Sequence, residues 1–378
     1  MHTVRDVVTE LDRLAPTSLA EPWDNVGLLV GDPDAEVTHV LLTIDLTPAV
    51  LEEAVAQRCG LIVAYHPPIF DPVKRLLAGD LAFDAARRGV AIYSPHTALD
   101  AAAGGTNDTL AAALGLTDLR PLRPVHRPLP PPRLIKLVTY VPAEAVAAVA
   151  DAIFRAGAGH IGNYSHCSFR AAGTGTFLGH EGTNPTVGQP GKLEEAPELR
   201  WETIVPADRL PQAVAALRLA HPYEEPAFDL IPLLDPAAVP SAEAAGQLGL
   251  GRVGKVPVPV TVGDLVGRLK ASLGMSNLIV GRTPAGLAAP VDTVAICAGA
   301  GRSLVPDVLA SNAQVYLTGE LPHHDVLKLL RAGVCPLLTL HSNSERPALG
   351  PLGAQLEARL PGLTALLSEV DADPLEIV

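Results

Sequence analysis

Four stretches of the chain set a side chain that can bind a metal or carry a proton directly after an apolar run. Val40-Leu41-Leu42-Thr43-Ile44 leads to Asp45, and Leu61-Ile62-Val63-Ala64-Tyr65 leads to His66. Val90-Ala91-Ile92-Tyr93 passes through Ser94-Pro95 to His96 and then Asp100, and Cys335-Pro336-Leu337-Leu338-Thr339-Leu340 leads to His341 and then Glu345. Imidazole and carboxylate are the donors that hold Zn, Mn, Fe or Co at neutral pH. Carboxylates mixed with histidines also suit a two-metal hydrolytic centre, because a carboxylate can bridge two ions. Each piece has a bland alternative. A lone histidine after a strand is more often an ordinary loop residue, and a histidine four residues before an acid arises often by chance. Three strand-terminal histidines with matched carboxylates tip the balance toward one shared metal site, made of His66, His96, Asp100, His341 and Glu345. Asp45, followed by Leu46-Thr47-Pro48, reads slightly better as an organiser of the next helix.

Other polar groups carry weaker signals. His323-His324-Asp325 follow Thr318-Gly319-Glu320 at another strand-to-helix turn. His323 and His324 are candidate acid-base or proton-shuttling residues, or simple helix caps. Gly299-Ala300-Gly301-Arg302-Ser303 could cradle a phosphate on backbone N–H groups. It lacks both the dinucleotide fingerprint and the P-loop lysine, so a tight turn explains it equally well. Lys74-Arg75 and Arg346 lie near the ligand blocks and could hold an anionic substrate.

The elements that must position these residues follow from periodicity. Val4, Val7, Val8, Leu11 and Leu14 repeat as one face of a helix. Val37–Asp45 reads as a strand, Thr47-Pro48 as a cap opening a helix to about Arg58, and 61–65 and 90–93 as further strands with a helix near 80–88 between them. Prolines 67 and 68 stop the second strand and hold His66 at its carboxyl end, where open α/β sheets bind ligands. A helix over Thr106–Leu114 closes at Gly115. Alternation of strands and helices is the signature of an α/β fold with parallel pairs, and strands in one such sheet would bring the four blocks to a common edge. The pattern breaks at 121–132, where PLRPVHRPLPPP reads as a stiff linker. Strand 134–141, helix 143–155, a Gly-rich stretch over 173–191, strand 201–205, helix 208–220 and strand 228–233 then give the order of a ferredoxin-like α+β domain. After Pro/Ala/Gly-rich residues 234–259 the alternation resumes, with a helix over 263–273 and a strand over 291–297. A helix over 303–311, a strand over 314–318, a helix over 323–332 and a strand over 334–341 complete it. The expected organisation is an α/β domain split into residues 1–122 and 244–378, with residues 133–234 inserted.

Composition narrows the classes. A net charge of −13 argues against a nucleic-acid or anionic-membrane surface. Cys59, Cys167, Cys297 and Cys335 are scattered without a CxxC pair, which fits reduced thiols in a cytoplasmic protein. No window has the apolar length of a membrane span, and the N-terminus has no signal-peptide pattern.

The blocks in order also resemble a known family. Glu21-Pro22-Trp23-Asp24-Asn25-Val26-Gly27-Leu28, Tyr65-His66-Pro67-Pro68-Ile69-Phe70, Tyr93-Ser94-Pro95-His96-Thr97-Ala98-Leu99-Asp100, Leu317-Thr318-Gly319-Glu320 with His323-His324-Asp325, and His341-Ser342-Asn343-Ser344-Glu345-Arg346 are similar to those of the Nif-three-like family, many of whose members are labelled GTP cyclohydrolase 1 type 2 homologues. His221-Pro222-Tyr223-Glu224-Glu225-Pro226-Ala227 and Asn184-Pro185 with Gly188, Gly191 and Lys192 resemble the PII/CutA-like insert of its longer members. The resemblance implies two divalent transition-metal ions per subunit and a toroidal homohexamer. It implies His66, Asp100, His341 and Glu345 as ligands, with His96 a ligand or close partner. Many bacterial members carry two adjacent histidines where this chain has Tyr65-His66. A phenol of ordinary pKa near 10 is a poor ligand, so occupancy of one metal position is open. Two functions stand side by side: a metal-dependent hydrolase acting on a nucleotide or phosphoester-type small molecule, and a non-enzymatic metal-binding regulator whose insert senses or interacts.

Overall fold

The Leu61–Ala64 strand is buried at every residue, as expected of a strand covered on both faces. In a computed structural model, which describes residues 2–125, 132–234 and 247–375, it is the middle strand of a five-stranded sheet. The order is Thr364–Leu367, His39–Thr43, Leu61–Ala64, Ala91–Ser94 and Gly27–Val30; the first four run parallel and the last antiparallel. Period-2 alternation sorts the side chains. Leu41, Ile62 and Ile92 pack with Val50 and Leu51 of the helix Pro48–Ala56 on one face. Val40, Leu42, Val63 and Tyr93 face a second core.

That core also receives Ala295 and Tyr316 from another sheet and Leu352 and Leu356 from the helix Leu349–Arg359. The second sheet has six strands, in the order Ile279–Val280, Cys335–Leu338, Val315–Glu320, Pro290–Ala300, Arg252–Thr261 and Thr117–Arg120. Its parallel trio is Pro290–Ala300, Val315–Glu320 and Cys335–Leu338. The chemistry-bearing strands therefore lie in two sheets and not in one. The halves interlock: Thr117–Arg120 completes the second sheet, and Thr364–Leu367 completes the first.

The chain divides into two compact units, Met1–Pro128 with Ser241–Val378, and Leu129–Pro240. The inserted unit has the order strand-helix-strand-strand-helix-strand. Its antiparallel sheet runs Phe228–Leu233, Leu134–Val141, Leu193–Pro206, Ser168–Leu178, the ferredoxin-like arrangement. Val149 and Ile153 from one helix and Leu217 from the other bury Leu137 and Trp201.

Three readings of the sequence are corrected. The Gly-rich stretch contributes a strand, Ser168–Leu178, whose mostly exposed residues leave no apolar alternation to read. Arg252–Thr261, inside the expected boundary segment, is an interior strand despite Pro257 and Pro259, and its ladder is interrupted between Lys255 and Val260. Within the expected linker, Arg123–Pro124 pairs with Gly249–Leu250; residues 126–131 and 235–246 lie outside the described ones.

Candidate metal centre

Two of the sequence blocks build the same local device. Each strand ends, a histidine opens a one-turn helix, and a carboxylate follows four residues later on the same face: His96–Ala101 with Asp100, and His341–Glu345. The backbone that enters these turns is strained. His96 has φ +28° and Leu340 has φ +70°, conformations that cost non-glycine residues about 1–3 kcal/mol each and concentrate at functional sites. The strand expected to reach 341 stops at Leu338, and this entry geometry is the reason.

His66, His341 and Glu345 come together with their donor atoms all within 4.8 Å of one another. Glu345 is 2% exposed. Its Oε1 lies 3.2 Å from His341 Nε2 and its Oε2 lies 3.1 Å from His66 Nε2. The second approach is close but not aligned as a hydrogen bond. His66 Nε2 and Glu345 Oε2 are both buried without a hydrogen-bond partner among the described residues. Among the described residues these two atoms have only each other, as an ion pair, and a cation between the ring nitrogens and the carboxylate would take its place. The other ring nitrogens are fixed from behind: His66 Nδ1 by Asp45 at 2.8 Å, His341 Nδ1 by Glu320 at 3.1 Å. Carboxylate backing of the distal nitrogen is how metal-binding histidines are usually oriented.

Asp45 is thus not the helix organiser. Thr47 caps Pro48–Ala56 by accepting from Val50 N–H, which frees Asp45 for His66. Asp24, which the sequence reading left in a loop, backs His96 at 2.7 Å and also accepts from the Thr97 hydroxyl and amide. The His96 ring centroid lies 5.4 Å from that of His66, beside the three-donor cluster. Asp100 faces Tyr65, whose buried hydroxyl donates to Asp100 Oδ1 at 2.5 Å and lies 2.9 Å from Thr106 Oγ1.

The charges agree with this division. Burial lowers the pKa of His66, but the Asp45 and Glu345 carboxylates outweigh it and lift the value to about 10. The Glu345 carboxylate lifts His341 to about 9 against a smaller opposing effect of burial. Burial opposes ionisation of Glu345, yet His341 and His66 together hold its carboxyl below the ordinary range. Without an ion the cluster is two imidazolium rings about one carboxylate, so an incoming cation displaces protons. Burial and the nearby Glu345 push Asp100 up to about 6, Tyr65 partly opposing them. Burial, then the Asp100 and Glu345 charges, keep the Tyr65 phenol well above its usual range. Tyr65 therefore acts as a neutral donor.

Gly299 closes the cluster from the second sheet. At φ +63°, a Cβ there would sit 2.5 Å from Glu345 Oε1 and 3.2 Å from His341 Nε2. Its amide donates to Ser344 Oγ at 2.7 Å. The Gly299–Ser303 segment is therefore a close backbone approach to the cluster. Gly319 serves likewise, since a Cβ would meet the Gly299 carbonyl at 2.6 Å and His341 Cα at 2.9 Å. His323 and His324 are exposed on the first turn of the helix His323–Arg331, and no hydrogen bond among the described residues ties either to the cluster. Arg346 is not free to hold an anion: it is paired with Asp371, which also accepts from Ile44 N–H at 2.7 Å. Lys74 and Arg75 are exposed.

The split α/β fold and this cluster define a class, an α/β protein with a candidate metal centre at the meeting edges of two sheets. Residues 2–374 match the family described as Duf34/NIF3 (NGG1p interacting factor 3), and the chain belongs to that family. The "GTP cyclohydrolase 1 type 2 homolog" of Mycobacterium tuberculosis is 41% identical over 350 residues, 91% of this chain and 89% of that protein. The protein of the same description from Bacillus subtilis is 31% identical over 391 residues, 98% of this chain and 97% of that one. The crystal structure of a Bacillus cereus protein related to NIF3 superposes with a TM-score of 0.63 at 32% identity, covering 100% of this chain and 99% of that one. No described helix is long and apolar enough to cross a membrane.

Proposed function

We propose that this chain is a metal-dependent hydrolase acting on a small nucleotide or phosphoester-type molecule. His66, His341 and Glu345 hold a divalent ion, and His96 and Asp100 extend the centre toward a second. The carrying observation is the convergence of the His66, His341 and Glu345 donor atoms within 4.8 Å of one another. Two nitrogens and carboxylate oxygens suit Zn, Mn, Fe or Co. Bound there, such an ion polarises an electrophilic centre and makes water more acidic. The chain's own residues do the rest. Asp45 and Glu320 fix the imidazoles so that each Nε2 faces Glu345. Tyr65 donates its proton into a hydrogen bond with Asp100 and orients that carboxylate. Trp23, 57% exposed, lies 6.0 Å from the His96 ring and 5.8 Å from Phe70, which offers a stacking face to a planar base. His323 and His324, both exposed, are the candidate proton carriers.

A second reading, a metal-binding regulator without turnover, is favoured by one observation: Arg346 is committed to Asp371 and leaves that basic group unavailable for a phosphate. Assembly into a toroidal homohexamer, a PII/CutA-like role for the insert and a cytoplasmic location belong to the same proposal. The test is turnover of GTP and a panel of phosphoesters by metal-loaded protein beside a Glu345→Ala variant. Loss of both turnover and bound metal in the variant supports the hydrolase. Full metal occupancy with no turnover favours the regulator, and turnover unchanged by the substitution sinks the metal-hydrolase reading.

A further inference from the structure

Beyond the Thr364–Leu367 strand, the chain makes a set of polar contacts with Asp371 at their hub. The Asp371 side chain is 2% exposed. Its Oδ2 accepts from Ile44 N–H at 2.7 Å and from Arg346 Nη1. Its Oδ1 lies 3.4 Å from Arg346 Nη2, and its backbone carbonyl accepts from Arg346 Nη1 at 3.2 Å. Two residues further on, Asp373 accepts from the Ser342 hydroxyl at 2.7 Å.

These donors belong to both arms of the metal cluster. Ile44 precedes Asp45, whose carboxylate orients His66, and the Ile44 carbonyl accepts from His66 N–H at 3.0 Å. Ser342 follows His341, and Arg346 follows Glu345, at the two ends of the one-turn helix His341–Glu345. The first arm leaves the first sheet and the second arm leaves the second sheet, so no shared ladder fixes their separation. A single helical turn is also weak on its own, and this one is entered through Leu340 at φ +70°. Asp371 grips the two arms at once. Its pairing with Arg346 is a charge-assisted contact, which fixes direction as well as distance.

The segment that carries Asp371 is itself tied down. Ser368 N–H donates to the Leu42 carbonyl at 2.9 Å, and its hydroxyl donates to Glu53 in the helix Pro48–Ala56. Glu369 N–H donates to the same Glu53 carboxylate at 2.8 Å, and Asp371 N–H donates to Ser368 Oγ at 3.2 Å. On the reading that His66, His341 and Glu345 hold the ion, we propose that Ser368–Asp373 is a strap that sets the spacing of these ligands. Asp371 is its positioning residue, and docking of the strap and binding of a divalent ion favour each other. Whatever factor the docked strap adds to metal affinity, the metal adds to docking.

Zinc titration against a chromophoric chelator and hydrogen exchange of the full-length protein test the two directions. Asp371→Asn keeps the size and an acceptor but removes the charge that faces Arg346. It should weaken zinc binding about 10–100-fold, the scale of losing a group that orients a ligand, and alter the visible absorption of the cobalt(II) form. A loss of global stability alone moves neither readout while the chain stays folded. In the parent chain, saturating zinc should slow exchange of the Ile44, Glu369 and Asp371 amides by about tenfold or more, and Asp371→Asn should remove that effect. If Asp371→Asn does not fold, Asp373→Ala, at the half-buried outer end of the strap, carries the same reading with a loss of about fivefold, the scale of one hydrogen bond. A parent chain that binds neither zinc nor cobalt overturns the metal reading and the strap with it. Zinc bound by the parent chain, with affinity and cobalt spectrum unchanged in Asp371→Asn, overturns the strap alone, as does amide exchange indifferent to zinc.

Discussion

Replacing Gly299 by alanine tests the metal centre without substituting any donor residue. The substitution has two separable costs. At φ +63° an alanine adopts a left-handed conformation that costs about 1–2 kcal/mol. Its Cβ also meets Glu345 Oε1 at 2.5 Å, so the carboxylate must retreat by about 0.9 Å to reach ordinary contact. Metal–ligand distances tolerate only about 0.2 Å, so a shift of that size removes Glu345 from the set. Loss of one of three donors should weaken metal binding by at least about 100-fold, or about 2.7 kcal/mol. Gly89 supplies the control: its φ is +73°, but nothing lies within 4 Å of its added Cβ. Gly89→Ala should show a similar backbone cost in denaturant unfolding and bind metal normally. Competition with a chromophoric chelator reads the affinities. If Gly299→Ala binds metal as tightly as Gly89→Ala, Glu345 does not ligate and the centre lies elsewhere.

Three further substitutions and conditions probe the supporting groups. Asp45→Asn should weaken metal affinity about 10–100-fold by releasing His66 Nδ1, with the unfolding midpoint little changed; unaltered affinity would return Asp45 to a local structural role. Tyr65→Phe should keep the metal-to-protein ratio of the parent chain while lowering stability by about 1–3 kcal/mol in urea, because Asp100 loses a buried donor. A drop in bound metal would instead make Tyr65 a ligand. In the insert, burial lowers the pKa of His221 despite the opposing Tyr140 carbonyl, so the fold holds the neutral ring. The unfolded chain takes up the proton first, near pH 6.5, and the insert therefore loses stability as pH falls below that value toward the folded pKa. Trp201, buried in the insert, reports this by fluorescence, and His221→Gln should flatten the pH dependence between 7.5 and 5.5.

Elements with strong periodicity were legible from the sequence. The strand before His66, the Thr47-Pro48 helix start and the left-handed Gly115 stop all follow from short-range sterics and capping. The His66, His341 and Glu345 cluster was legible because each histidine follows a strand's carboxyl end and Glu345 follows His341 by one helical turn. What escaped was set by tertiary partners. Asp24 and Asp45 look like turn residues until the histidine behind each is located 72 and 21 positions away in sequence. Gly299 reads as part of a generic turn, since its reason is a carboxylate 46 residues later. The placement of the four blocks on two sheets is set by which strands pair, which no strand's own residues announce, and in the second sheet the prolines of Arg252–Thr261 hide a strand that tertiary pairing restores. Ser168–Leu178 has too little buried surface to announce itself.

The Thr364–Leu367 strand, paired along His39–Thr43, makes the first sheet wait for residues synthesised long after its other strands. The ribosome releases Asp45, His66, His96 and Asp100 long before it delivers His341 and Glu345, and the first sheet gains its edge strand later still. The insert, whose ladder pairs only within itself, needs none of these late arrivals. A chain cut short before residue 341 therefore lacks two of the three clustered donors and the edge strand together. A product interrupted there carries neither a finished first sheet nor a finished cluster.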